Sequence, residues 1–133
     1  MKLVHSLVLL PLTVLALGVS ADPPKPVKAP AATKEILDKG KGVFMTNCVP
    51  CHGEKGEGDG PVGLALNPRP RNFAKDPFKQ GTAPEEIFRT ISEGVPGTLM
   101  VAWLQLSEDD RWAAAHFVRT MVPKAAAATK PKK

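Results

Sequence analysis

"TNCVPCHGEKGEGDG", residues 46–60, holds both cysteines of a chain of 133 residues. Cys48 and Cys51 stand three apart, His52 follows directly, and the chain then runs into glycines. A disulfide between thiols so close would shut only a tiny loop and stabilise little. The pair therefore has another task, and the rest of the chain must show which.

The two ends differ from the middle. Lys2 precedes an apolar run from Leu7 to Leu17, and Val19-Ser20-Ala21 supplies the small residues that a signal peptidase needs. A membrane anchor is the alternative, but the run is short of the roughly 20 residues that span a bilayer. Pro11 and Thr13 also interrupt it. Residues 1–21 therefore read as a cleaved signal peptide, which makes the protein exported and periplasmic. No cysteine lies near the cleavage site to carry a lipid. Residues 22–32, DPPKPVKAPAA, read as an extended Pro- and Ala-rich linker. Residues 124–133 read as a basic flexible tail.

Residues 33–123 remain as one small domain. They hold 11 Lys and Arg against 12 Asp and Glu, a balance of −1. The formal charge of +5 thus belongs to the ends, and nucleic-acid binding loses its main argument. A domain this small buries little apolar surface unaided, and exported domains of such size usually add a staple.

The expected fold class is all-α, with about three main helices. Ile36, Leu37, Gly40, Val43 and Phe44 recur at helical spacing on one face. In "TAPEEIFRTISEG", Thr82 is the expected cap, Glu85 the partner in a capping box, and Gly94 the stop. In "LSEDDRWAAAHFVRTMVP", Ser107 caps, Asp110 sits at the box position and Pro123 ends the helix. Trp112, Ala113, Phe117 and Met121 form its apolar stripe. No alternating strand pattern appears. Between the first two of these helices runs a 29-residue Gly- and Pro-rich loop, Gly53 to Gly81. A loop that long in a small domain is expected to wrap something.

Cys-x-x-Cys-His is the attachment signal for c-type haem. On about one turn of helix, Cys48 and Cys51 reach the two vinyl groups at one porphyrin edge and form thioethers. His52 then turns its ring toward the iron as the proximal ligand. The haem supplies the apolar surface that the chain lacks. A thiol–disulfide oxidoreductase also uses Cys-x-x-Cys, but it comes with a sheet for which no strands are seen. A zinc site needs more ligands than Cys48, Cys51 and His52. The candidates for a second axial ligand are Met45, Met100, Met121, His116 and His5. His5 leaves with the signal. Met45 is on the same helix as Cys48 and does not cross to the other haem face. His116 and Met121 lie on the last helix, where packing or surface is the plainer reading. Met100 lies in the Gly-Pro loop "GVPGTLMVAWLQL", which is able to carry a thioether over the distal face. Met100 is the expected ligand, and apolar filling is the alternative.

With these residues the chain resembles the class I mono-haem cytochromes c, particularly the exported bacterial ones. The resemblance covers roughly residues 34 to 122. It rests on "CVPCHGEKGEGDG", on "GVPGTLM" before the last helix, and on Gly40-x-x-x-Phe44 facing Trp112 and Phe117. It implies a small cytochrome c fold around one covalent haem c. It implies that the first and last helices cross through Gly40 and Phe117, with Phe where Tyr is usual. The family's distal ligand falls on Met100, although Val101 stands where a proline commonly follows. The family holds its proximal imidazole with a loop proline carbonyl, which falls on Pro61. "NPRPRNF" resembles the segment that passes the haem propionates, so Arg69 and Arg71 are candidate partners for them, against a reading as solvated loop arginines. The expected function is one-electron transfer between transient redox partners, without enzymatic activity, nucleic acid or membrane insertion. A haem-based sensor with Met100 off the iron, or a fixed haem subunit of a larger oxidoreductase, are the other readings.

Overall fold

Helix α1, Lys34–Asn47, begins at Thr33, whose hydroxyl accepts the Ile36 N–H at 3.3 Å. The structure, a computed structural model, describes residues 28–124. The expected signal peptide, the start of the expected linker and the residues beyond Lys124 lie outside the described residues. Three longer helices, α1, α3 (Pro84–Glu93) and α4 (Glu108–Met121), carry the fold. A fourth, α2, is a single turn over Val49–His52, and a short 3₁₀ turn covers Gly63–Ala65. No strand occurs among the described residues.

The start of α3 corrects the expected cap. The N-cap is Ala83, not Thr82, and Glu86, not Glu85, reaches back to the Ala83 N–H at 2.9 Å. Pro84 explains the shift. Its ring presets the helical φ and it has no N–H to leave unpaired, so it takes the first helical position. Thr82 is buried instead. Glu85 accepts the N–H of Ala29 at 3.3 Å, which ties the end of the Pro- and Ala-rich stretch to α3. Gly94 closes α3 as expected, and Ser107 caps α4 through the Asp110 N–H at 3.1 Å.

α4 crosses α1 and packs against α3. The α1 crossing depends on Gly40. A Cβ at that position would lie 2.0 Å from the Ala113 carbonyl oxygen and 2.9 Å from the Phe117 Cβ. With hydrogen there instead, the two backbones touch, and Phe44 reaches the Phe117 ring at 5.5 Å. Phe44 is completely buried. The Trp112 ring stacks on Phe88 of α3 at 4.0 Å and 10°. α4 is also buried more widely than its single expected stripe. Ala114, Ala115, His116 and Val118 are buried along with Trp112 and Ala113. The run of alanines makes this possible, because small side chains let neighbours close in on more than one side.

Two glycines two residues apart thus have opposite meanings. Gly40→Ala is expected to destabilise the haem-loaded protein by about 1–3 kcal/mol or more, the usual cost of overpacking. Gly42 is exposed and a Cβ there meets nothing within 4 Å. Gly42→Ala is expected to stabilise by about 0.5–1 kcal/mol through helix propensity alone. Guanidinium titrations of the two variants measure both.

Candidate functional site

The end of α1 runs directly into the cysteine pair. The Cys48 N–H still donates to the Phe44 carbonyl at 2.8 Å, so the chain leaves α1 without a break. The N–H groups of Cys51 and His52 then both donate to the Cys48 carbonyl, at 3.1 and 2.8 Å. This one turn carries two free, half-buried thiols and the imidazole. Gly53 ends it. The loop beyond folds back onto the turn: Gly58 donates to the His52 carbonyl at 2.9 Å, Val62 to the Pro50 carbonyl at 2.9 Å, and Phe73 to the Gly56 carbonyl at 2.8 Å.

The His52 ring lies against Phe73, with centroids 4.8 Å apart and planes 28° from parallel. Its Nδ1 is buried and has no hydrogen-bond partner among the described residues, the Pro61 carbonyl included. The chain around Pro61 returns its hydrogen bonds to α2 and to its own 3₁₀ turn, while Phe73 covers the imidazole. Burial, reinforced by the Arg71 charge, pushes the His52 imidazole down to about 4. It is neutral at ordinary pH, which is the form that binds a metal. Burial, with Cys51 adding to it, pushes the Cys48 thiol up to about 11.

Met100 sits in the loop between α3 and α4, half-buried and packed against the core. Its carbonyl accepts the Val95 N–H at 2.8 Å, and its own N–H donates to the Thr98 hydroxyl at 3.1 Å. Trp103 donates to the Ile91 carbonyl at 2.9 Å, so the loop that leaves α3 at Gly94 is tied back to that helix just beyond Met100. The other candidates are placed differently. Met45 is exposed on α1, Met121 packs against the core at the end of α4, and His116 is buried in α4 beside Trp112. His5 lies outside the described residues.

Arg69 and Arg71 part company. Arg69 is exposed. Arg71 is half-buried, donates to the Pro77 carbonyl at 2.5 Å and lies over the Phe78 ring at 4.9 Å. Its charge is felt at His52. Phe73 is the site residue that neither motif nor spacing reveals. Its only signal in the sequence is an aromatic residue within a polar, Pro-rich stretch. Among the described residues no three His, Cys, Asp or Glu side chains converge to hold a bare metal ion.

An all-α fold that sets two thiols and a neutral imidazole on one turn, and wraps them in a long loop, defines a haem protein of the c type. The family model for cytochrome c matches residues 37–122. The chain belongs to the cytochrome c family. That family carries covalently bound haem c and exchanges electrons with redox partners. Among solved structures, the chain is similar to one from the Kuenenia stuttgartiensis reducing HAO-like protein complex Kustc0457/Kustc0458. The identity is 33% and the TM-score 0.65, over 80% of this chain and 50% of that one. The chain thus spans about half the length of that relative. It is also similar to cytochrome cL of Methylophaga aminisulfidivorans, at 20% identity and TM-score 0.55, over 90% of this chain and 88% of that one. At that identity the likeness concerns the fold. No curated protein matches.

With His52 as the expected iron ligand, a half-buried positive charge beside it disfavours ferric iron, and an exposed one is screened by water. Arg71→Met is expected to lower the reduction potential of the haem-loaded protein by an energy on the order of 1 kcal/mol. Arg69→Met is expected to change it much less. Redox titration of both variants checks the difference.

Proposed function

We propose that the chain is an exported, periplasmic one-electron carrier with a single haem c. Cys48 and Cys51 form the thioethers, and His52 and Met100 are the axial ligands. The observation that carries this reading is the single turn Cys48–His52, which brings two free thiols and a neutral imidazole together at the end of α1. These residues fit the group. The buried nitrogen of His52 is Nδ1, which leaves Nε2 for iron. Haem supplies an iron that gains and loses one electron reversibly. The chain's own part is to bind, orient and keep water away. The Met100 loop is closed by the Val95–Met100 bond and tied back to α3 through Trp103, as a thioether that must stay at one distance from iron requires. With both axial positions taken, no site is open to substrate, and binding and release of an electron need little rearrangement.

Export rests on residues 1–21, which read as a signal peptide. No helix among the described residues is long and apolar enough to cross a membrane. Leu99 and Val101 flank Met100, and Val62 and Leu64 follow Pro61; all four are exposed. Apolar side chains beside the cofactor suit brief contacts with redox partners, which bury small areas. Half-buried Arg71 is the residue proposed to pair with a haem propionate, and the exposed Arg69 is the weaker candidate.

A second reading has one observation behind it. The likeness to a chain of the HAO-like complex favours a fixed haem subunit of a larger oxidoreductase. Native size in extracts of the source cells separates the two, since a free carrier elutes near 14.2 kDa or slightly below after processing.

Met100 is the residue that tests the carrier. A thioether is a soft donor that favours ferrous iron and holds the potential high. Oxidised wild type is expected to show the weak near-infrared band of sulfur on ferric iron, and not to bind carbon monoxide readily when reduced. Met100→Ala is expected to lose the band, bind carbon monoxide and drop in potential. Met45→Leu and Met121→Leu are expected to keep the band. Retention of band and potential in Met100→Leu would move the ligand elsewhere. Ready binding of carbon monoxide by the wild type would favour a sensor.

A further inference from the structure

We infer that Thr98 is a positioning residue for Met100: its hydroxyl joins the Val95 carbonyl to the Met100 N–H and so fixes the backbone that carries the thioether. The inference rests on the reading of Met100 as the distal ligand. The hydroxyl donates to the Val95 carbonyl at 2.8 Å and accepts the Met100 N–H at 3.1 Å. A direct bond runs beside it, from the Val95 N–H to the Met100 carbonyl at 2.8 Å. Val95 and Met100 are thus joined twice, and one of the two links passes through a side chain.

The loop is built around these links. Pro96 and Gly97 are the central residues of a turn that the Thr98 N–H closes on the Val95 carbonyl at 3.2 Å. Proline presets the first φ of such a turn, and Gly97, at φ 76°, supplies the positive second one. The frame is α3 itself. Gly94 still donates to the Thr90 carbonyl at 2.9 Å, and its φ of 75° turns the chain out of the helix. A Cβ on Gly94 would lie 2.6 Å from the Met100 carbonyl oxygen, so the glycine lets the methionine backbone close onto the helix end. Ordinary turn closure accounts for the Thr98 N–H. It does not call for a half-buried hydroxyl that reaches on to the N–H two residues later.

The contact bears on the sixth iron position. Neutral sulfur is a weak ligand, and it stays on the iron only while the backbone that carries it is held in place. With the hydroxyl removed, the Met100 N–H loses its acceptor and the loop keeps only the direct Val95 link. The sulfur then leaves the iron more often, and an added ligand enters at the rate at which it leaves.

Imidazole binding by the oxidised, haem-loaded protein tests this. The wild type is expected to show the near-infrared sulfur band and to take up imidazole slowly. Thr98→Val keeps the shape without the hydroxyl. It is expected to keep the band and to bind imidazole about tenfold faster, the order set by two lost hydrogen bonds. Thr98→Ser, which keeps the hydroxyl, is expected to behave as wild type. Thr90→Val removes a different hydroxyl, bonded to the Glu86 carbonyl at 2.9 Å on α3, and is expected to leave the rate unchanged. In the reduced wild type the Met100 N–H is expected to exchange with solvent at least about tenfold more slowly than a free loop amide. A freely exchanging Met100 N–H overturns the inference, and needs no variant to fold. So does a folded Thr98→Val protein with the wild-type rate, a Thr98→Ser protein that follows Thr98→Val, or a Thr90→Val protein that is equally fast. A wild type without the sulfur band overturns the ligand assignment of Met100 and this inference with it, a failure told apart from the others because it precedes any substitution.

Discussion

The backbone contact at Gly40 is the constraint from which the rest of the structure follows. It lets α1 and α4 meet with no side chain between them. Phe44, one turn along α1, then reaches Phe117 on one side and Phe73 on the other. Phe73 in turn covers His52. A single close approach thus sets the distance between the helix crossing and the cysteine turn, through a chain of three aromatic rings. The thiols need no element of their own, because α1 delivers them at its end.

Beyond that crossing the chain has little with which to hold itself. The loop from Gly53 to Gly81 contains one 3₁₀ turn and returns to the cysteine turn through a few backbone hydrogen bonds. The core side chains number few, and several are alanines. Domains of this size bury too small a share of their surface to be secure alone. A large flat apolar group bonded covalently to Cys48 and Cys51, as proposed, would remedy both deficits. It would fill the space that the loop encircles, and attachment at two points would keep it there without relying on affinity. The same apolar surroundings keep His52 neutral and would favour the reduced iron, so stability and redox chemistry would draw on one arrangement.

The features legible in the sequence were the local ones. Cys-x-x-Cys-His is read from five residues, and the caps at Ser107 and Gly94 need only their own neighbours. The all-α class followed from helical spacing in three segments. Failures came where two separated segments meet. Thr82 looked like a cap because nothing in the propensities said that Pro84 would take the first helical position. Pro61 looked like the imidazole's partner because the glycines of "GDGPVG" match a family pattern, yet the ring is covered by Phe73 from much farther along the chain. Arg69 and Arg71 were equivalent on paper. Only folding shows that Arg71 turns inward to Pro77 and Phe78 while Arg69 stays in water. Periodicity likewise gave α4 one apolar stripe, whereas its alanines let neighbours close in on several sides.

The central claim is that Cys48 and Cys51 carry the cofactor covalently. Mass spectrometry of the native protein, after denaturation and extraction with acidic organic solvent, tests it most directly. The account predicts that the haem mass stays on the chain, that a peptide containing Cys48 and Cys51 carries it, and that neither thiol reacts with an alkylating reagent. Haem that washes into the solvent, or two thiols that alkylate freely, would contradict it.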